Sequence, residues 1–284
     1  MMQTIFDVIK TKAIVREWKK SGNTIGFVPT MGFLHEGHLS LIQKSVSENN
    51  RTVVSIFVNP TQFAPTEDLD KYPQDIQADT NMCGLAGVDL IFLPTVEEMY
   101  SNYSTFVDVE GLTNGLCGKS RPGHFRGVCT IVNKLFNITT PDRAYFGQKD
   151  AQQLAVIKKM VLDLNMDVEV ITCPTIREKD GLAKSSRNSY LSPEERKAAR
   201  VVSQAIFEGE RLVKSGVKEV ANVVKAMEDI IQTEPLAQID YVEIVDGYSM
   251  KKIEKIEMTE KSLILGAVAV FFGKTRLIDN FIVN

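Results

Sequence analysis

The sequence predicts an α/β chain in which a parallel sheet flanked by helices is followed by a smaller α+β domain. Two observations carry this prediction. Through residue 172, short apolar runs rich in β-branched residues alternate with stretches of helical periodicity. That alternation is the mark of right-handed βαβ units and of a parallel sheet buried on both faces. Beyond Thr175 the order changes to two helices and then three strand-like runs. Residues 1–175 are therefore assigned to the first domain and 176–284 to the second.

Taken in order, residues 3–20 set Phe6, Ile9, Ala13 and Val15 among charges, which predicts a surface helix stopped by Gly22. Thr24-Ile25-Gly26-Phe27-Val28 is the first buried strand. It leads through a turn into a helix that runs to about residue 48. Thr52–Val58 is the second strand and ends in the turn Asn59-Pro60-Thr61-Gln62-Phe63. A helix follows Pro73, with Ile76, Met82 and Leu85 expected to face inward, and Val88–Leu93 is a third strand closed by Pro94. Residues 95–123 form a Gly-rich, less periodic insertion. The alternation resumes with a helix at 124–137, the strand Arg143–Phe146, a helix at 150–164 and the strand Val168–Thr172. Ser192-Pro193-Glu194-Glu195 is a strong helix start, with a serine cap, proline at the first position and acids in the first turn. It predicts helices over 193–214 and 217–232, followed by strands at 239–245, 263–271 and 275–282. Ligands of open parallel sheets bind beyond the carboxyl ends of the strands. The loops after residues 28, 58 and 146 are then expected to face one crevice, as in a Rossmann-like nucleotide-binding domain.

Composition narrows the function classes. The 284 residues are 44% hydrophobic and 24% charged, with a formal net charge of -3, so no overall field draws the chain to nucleic acid. Met1–Lys20 has no apolar core of a signal peptide, and the run Leu263–Phe272 is about half of a membrane span. Cys83, Cys117, Cys129 and Cys173 form no close pair and no metal-ligand spacing, which predicts buried free thiols in a reducing cytosol.

The chemistry concentrates in Pro29-Thr30-Met31-Gly32-Phe33-Leu34-His35-Glu36-Gly37-His38, which holds two of the chain's three histidines. A tight turn from strand to helix presents unpaired backbone N–H groups and the positive end of a helix dipole, a place suited to phosphate. Neutral imidazoles add donors. Zinc binding, or a merely satisfied polar pair, stays open on this stretch alone. Gly147-Gln148-Lys149-Asp150 follows another strand, with Asp150 suited to cap a helix and Lys149 placed to meet phosphates, though a surface lysine would read the same way. Lys184-Ser185-Ser186-Arg187-Asn188 sets two hydroxyls between two cations, in either a donor loop or a solvated linker. Gln62 and Gln153 are neutral donors suited to hydroxyls and a carboxylate; Asn59 and Arg121 belong to the same candidate pocket. His124, beside Arg121-Pro122-Gly123, stays outside the catalytic set, and Asp75 and Asp79 are the carboxylates nearest to a Mg²⁺ role without being assigned as ligands.

His-x-Gly-His after a strand resembles the signature of the nucleotidyltransferase superfamily, which includes the class I aminoacyl-tRNA synthetases. The longer text at 29–38 resembles the pantoate–β-alanine ligase family. So do Phe57-Val-Asn-Pro-Thr-Gln-Phe63, Arg121-Pro-Gly-His-Phe125, Tyr145-Phe-Gly-Gln-Lys-Asp-Ala-Gln-Gln-Leu154 and Leu182-Ala-Lys-Ser-Ser-Arg-Asn188, a resemblance that spans the full chain. It implies ATP-dependent, AMP-forming condensation of pantoate with β-alanine through pantoyl adenylate, in pantothenate and coenzyme A biosynthesis. It also implies ATP and Mg²⁺ as cofactors, a cytoplasmic homodimer, no nucleic-acid or membrane partner, and a C-terminal domain that closes over the active site. His35, His38, Lys149, Ser185, Ser186 and Arg187 would be catalytic. Met31, Gly32, Phe33, Leu34, Glu36, Gly37, Gly147, Gln148, Asp150, Ile176 and Lys184 would join them in binding ATP. Gln62, Gln153, Asn59 and Arg121 would bind substrate. Lys184 stands where many family members carry methionine, which implies backbone contacts at that position. Another nucleotidyltransferase using the same turn is the alternative.

Overall fold

The apolar runs become strands whose side chains are buried on both faces. In the computed structural model, which describes residues 2–65 and 67–284, the chain opens with β1 (Gln3–Ile5), α1 (Val8–Lys20), β2 (Ile25–Thr30), α2 (Glu36–Glu48) and β3 (Arg51–Ile56). It continues through α3 (Ile76–Ala86), β4 (Leu90–Phe92), α4 (Val96–Tyr100), α5 (Leu116–Ser120) and α6 (His124–Thr139). Next come β5 (Arg143–Gly147), α7 (Ala151–Asp163), β6 (Glu169–Cys173), α8 (Pro193–Ala198), α9 (Arg200–Lys214) and α10 (Val220–Ile231). The last elements are β7 (Ala237–Asp246), β8 (Ile264–Phe272) and β9 (Thr275–Val283).

Two units divide the chain: Met1–Val109 with Arg121–Gly147 and Val156–Pro174, and Glu110–Ser120 with Gln148–Ala155 and Thr175–Asn284. The second unit thus takes in two short stretches from within the first 175 residues. The first unit holds the six-stranded sheet in the order β1-β4-β3-β2-β5-β6, parallel throughout. β2 pairs with β3 on one side and β5 on the other, so the switch in strand order falls at the carboxyl end of β2. Val28, Val54, Ile91 and Tyr145 of the sheet pack with Leu41, Ile42 and Cys83. α2 crosses β2 so closely that a Cβ at Gly26 would collide with Ser45 and Asn49. In the second unit β7-β8-β9 form an antiparallel sheet covered by α9 and α10, with Ile206, Met227, Val268 and Phe272 in its core.

Four expectations change. Residues 3–5 are a strand paired with β4, not the start of a helix; the helix begins at Val8, where the Asp7 carboxylate accepts from the Lys10 N–H. Phe6 and Ile9 are exposed, and α1 buries Thr11 and Val15 instead. On α3 the inward residues are Asp79 and Cys83, whereas Leu85 is 92% exposed. The helix predicted over 193–214 breaks at Ala199 into α8 and α9, with Ser192 and Glu195 forming a capping box at its start. Asp150, by contrast, stays where a cap would: it ends the 3₁₀ turn Gln148–Asp150 and directly precedes Ala151, the first residue of α7. All four cysteines are free and buried, and burial pushes the thiols of Cys83 and Cys129 up to about 12, so they are poor nucleophiles. Among the described residues no helix is long and apolar enough to cross a membrane.

Candidate active site

β2 delivers the chain to the histidine turn. Gly32 and Phe33 take left-handed backbone angles, φ 85° and 51°, and reverse its direction. The Gly32 N–H donates to Thr30 Oγ1 at 3.2 Å. The Phe33 and Leu34 N–H groups donate to the two carboxylate oxygens of Asp79, at 2.8 and 2.7 Å. His35 is the N-cap of α2: its Nδ1 accepts from the Gly37 N–H at 3.1 Å, and the His35 N–H donates to His38 Nδ1 at 3.3 Å. The two rings lie 4.1 Å apart between centroids.

This changes the expectation of unpaired N–H groups at the turn. Five of them, from Gly32, Phe33, Leu34, His35 and Gly37, already have side-chain acceptors. The same two bonds fix the tautomers of the rings. A ring nitrogen that accepts a backbone N–H carries no proton, so both imidazoles are neutral and hold their hydrogen on Nε2. Asp79, 1% exposed, is the support for this arrangement. Burial pushes its carboxyl above the usual range, against the lowering by the Leu34 and Phe33 N–H groups. A cavity of about 230 Å³ beside the turn is walled by Met31, Gly32, Ile56, Val58, Asp79 and Leu93, among others, and none of its lining residues is a cation.

Gln62, Asn59 and Arg121, expected to bind substrate, form one network in the first unit. Gln62 Nε2 donates to Met31 Sδ at 3.1 Å, and its Oε1 accepts from Asn59 Nδ2 at 3.0 Å. Asn59 is 1% exposed and bonded also to the Gly127 carbonyl, Thr61 and Tyr100, so it positions Gln62 rather than facing a ligand. Arg121 does not stand open to an anion either. Its guanidinium clasps both oxygens of Glu67 at 2.6 and 2.8 Å, donates to the Gln62 carbonyl at 3.3 Å and meets His124 Nε2 at 3.0 Å. His124 Nδ1 lies 2.9 Å from the same carbonyl and donates to it, leaving Nε2 to accept from Arg121. Burial raises the Glu67 carboxyl, but the Arg121 bonds and charge outweigh it and hold the group below its usual range. Gly147 ends β5.

The second unit holds the remaining residues. Lys149 Nζ is 3.7 Å from Asp150 Oδ1. Gln152 is buried and its amide donates to the carbonyls of Leu112 and Gly115, whereas the neighbouring Gln153 is half-buried and its side chain makes no hydrogen bond among the described residues. The stretch 176–188 is a hairpin rather than a linker. The Lys184 N–H donates to the Ile176 carbonyl at 2.9 Å, and Arg177 bridges to Ala183. Asn188 Nδ2 donates to Glu178 and to the Ala183 carbonyl, and Arg196 binds Glu178 and Asp180. Ser185 Oγ accepts from the Arg187 N–H and opens a 3₁₀ turn, in which Ser186 is buried.

Asp75 caps α3 by accepting from the Ala78 N–H, and Asp79 accepts the Phe33 and Leu34 N–H groups of the turn. Among the described residues no group of three or more His, Cys, Asp or Glu could hold a metal ion.

The pantoate-beta-alanine ligase family model matches residues 3–282. The chain belongs to that family. Its residues are 58% identical to pantothenate synthetase of Acetivibrio thermocellus over 284 residues, the whole length of both chains. Among solved structures, pantothenate synthetase of Thermus thermophilus superposes with a TM-score of 0.92 at 44% identity, covering 99% of each chain. Pantoate-beta-alanine ligase of Francisella tularensis, complexed with beta-gamma ATP and beta-alanine, superposes with a TM-score of 0.81 at 34% identity, covering 99% of this chain and 97% of the other.

Glu67 is the support that sequence reasoning missed, and Asp79 and His124 were singled out without these contacts. Glu67 and Asp79 act through contacts far along the chain, which no local pattern marks.

Proposed function

We propose that this protein joins pantoate to β-alanine at the expense of ATP, releasing AMP and pyrophosphate. The observation that carries the reading is the pair of neutral imidazoles at the switch point of the sheet, in a chain of the ligase family. A carboxylate oxygen of pantoate attacks the α-phosphorus of ATP, and the bond to the pyrophosphate oxygen breaks. The amine of β-alanine then attacks the acyl carbon of pantoyl adenylate, the bond to AMP breaks, and the amine gives up a proton. AMP is the leaving group, so no enzyme nucleophile is required. Catalysis then rests on positioning and on stabilising charge.

His35 and His38 donate from Nε2 to phosphate oxygens. Lys149 adds a cation, and Ser185, Ser186 and Arg187 meet the charge that spreads over the α-phosphate and pyrophosphate. Lys184 and Ile176 shape that hairpin through their backbones, in keeping with the 2.9 Å bond between them. Gln62, held by Asn59 and by the Arg121–His124 pair, orients pantoate together with Gln153. Neutral amides suit this task, because a tight ion pair would quench the attacking carboxylate. Mg²⁺ arrives on the triphosphate as MgATP, a metal that needs few ligands from the protein. The enzyme is read as a cytoplasmic homodimer in pantothenate and coenzyme A biosynthesis, and light scattering tests the dimer.

The decisive assay supplies MgATP and pantoate, then β-alanine. Pyrophosphate release that depends on pantoate, and AMP release completed by β-alanine, are expected. A stable nucleotidyl product on another acceptor would favour a different nucleotidyltransferase. Removing one preorganised donor costs ~10²–10³ in rate, so His38→Ala should slow pantoate-dependent pyrophosphate release by that factor. Release at the parental rate would overturn the role given to His38.

A further inference from the structure

β9 carries two adjacent polar residues where apolar side chains would suit the core. Asp279 and Asn280 are 2% and 4% exposed. Burying polar groups at this depth costs free energy unless each finds a partner, and the partners lie in the stretches already assigned to phosphate. Asn280 Nδ2 donates to the carbonyls of Gln148 and Lys149, at 3.0 and 2.9 Å. Its Oδ1 takes the side-chain amide of Gln148 at 3.4 Å. The amide can be oriented only one way, because the reverse would set its oxygen against two carbonyls. Asp279 accepts the Asn280 N–H at 2.8 Å and both terminal nitrogens of Arg177, at 2.6 and 3.0 Å. Arg177 also donates to the Gly181 carbonyl and begins the hairpin that carries Lys184–Arg187. A single strand of the C-terminal sheet therefore holds both the lysine turn and the hairpin.

We propose that Asn280 is a positioning residue for Lys149. It touches no substrate. Its amide sets the backbone carbonyls on either side of the lysine's N–H, and so the point from which the ammonium reaches. The proposal rests on the reading of Lys149 as a phosphate-binding residue, and the test separates the two. A misplaced catalytic group loses rate steeply with distance.

The test compares the parent, Asn280→Ala, Lys149→Ala and the double variant in pantoate-dependent pyrophosphate release, with thermal melts as a check on folding. The expected result for Asn280→Ala is a loss of about tenfold in the adenylation rate and a KM for ATP raised about as much. The KM for β-alanine should stay within about twofold of the parent. The double variant should be no slower than Lys149→Ala alone, because Asn280 acts through the lysine. If Asn280→Ala fails to fold, the isosteric Asn280→Asp, which keeps the volume but turns an acceptor toward the two carbonyls, takes its place with the same expectations. Parental kinetics in a folded Asn280 variant, or a loss that adds in full to that of Lys149→Ala, would overturn the proposal while leaving the lysine's role intact. Adenylation at the parental rate in Lys149→Ala would overturn the reading of the lysine, and the proposal with it.

Discussion

Two buried aspartates, Asp79 and Asp279, do the same work in the two units by different chemistry. Each is almost without exposure, and burial pushes each carboxyl above its usual range. Asp79 meets two backbone N–H groups of the histidine turn and, among the described residues, no cation. Asp279 meets a guanidinium and one N–H. Neutral donors share out one carboxylate between successive residues and so fix a backbone path, which is what a turn carrying two imidazoles needs. A guanidinium instead joins two distant segments, which suits a hairpin returned to a strand.

The comparison breaks most sharply at Arg177→Ala. Removing one partner of a buried pair leaves the other charge uncompensated at a cost of ~3–5 kcal/mol, so a denaturant midpoint should fall by that equivalent. A loss below ~1 kcal/mol would place the pair with ordinary surface bridges. Asp79→Ala deprives two N–H groups of their carboxylate, and a stability loss on the order of 2 kcal/mol is expected. Adenylation should fall with it, while the arrangement at Lys149 is untouched. A variant with normal kinetics would show that the histidine turn holds its shape unaided.

The pH dependence sharpens the contrast between Asp79 and Glu67. A raised folded-state value means that the stability Asp79 contributes is complete below the ordinary aspartate value, about pH 3.9, and is lost as pH rises through the raised one. The stability of the parent relative to Asp79→Asn should therefore fall as pH climbs out of the acid range. Glu67 is lowered, so its contribution is complete above the ordinary glutamate value, about pH 4.3, and disappears as pH falls through the lowered one. The parent's advantage over Glu67→Gln should grow with rising pH. Equal slopes in urea titrations at several pH values would refute this assignment. The smallest effect is expected on α3, the helix that carries Asp79. Leu85→Gln should change stability by no more than about 0.5 kcal/mol, whereas a loss above ~2 kcal/mol would return Leu85 to the core.

Much of the fold was legible because parallel strands buried on both faces announce themselves as unbroken apolar runs. β2, β3, β5 and the three C-terminal strands fall within two or three residues of their predicted limits. β1 was hidden by its length, three residues inside a stretch whose spacing also fits a helix. α3 was turned the wrong way because a period of apolar residues cannot see a carboxylate buried by N–H groups 45 and 46 residues away. The site shows the same limit. Local chemistry displayed the His35–His38 pair, whereas Gln62 and the Lys184–Arg187 stretch stood out only through the family resemblance. Their supports come from sequence separations of 54 for Glu67 and Arg121 and 102 for Arg177 and Asp279. Such supports become visible only when the chain has folded.

The two bonds from Asn280 also have a consequence in time. The carbonyls they hold lie 132 and 131 residues earlier in the chain. At a synthesis rate of roughly 5–20 residues per second, the lysine turn waits on the order of 10 s for the amide that holds it. The first unit's turn needs only Asp79, 46 residues after Phe33. A growing chain would therefore complete its histidine turn well before its lysine turn.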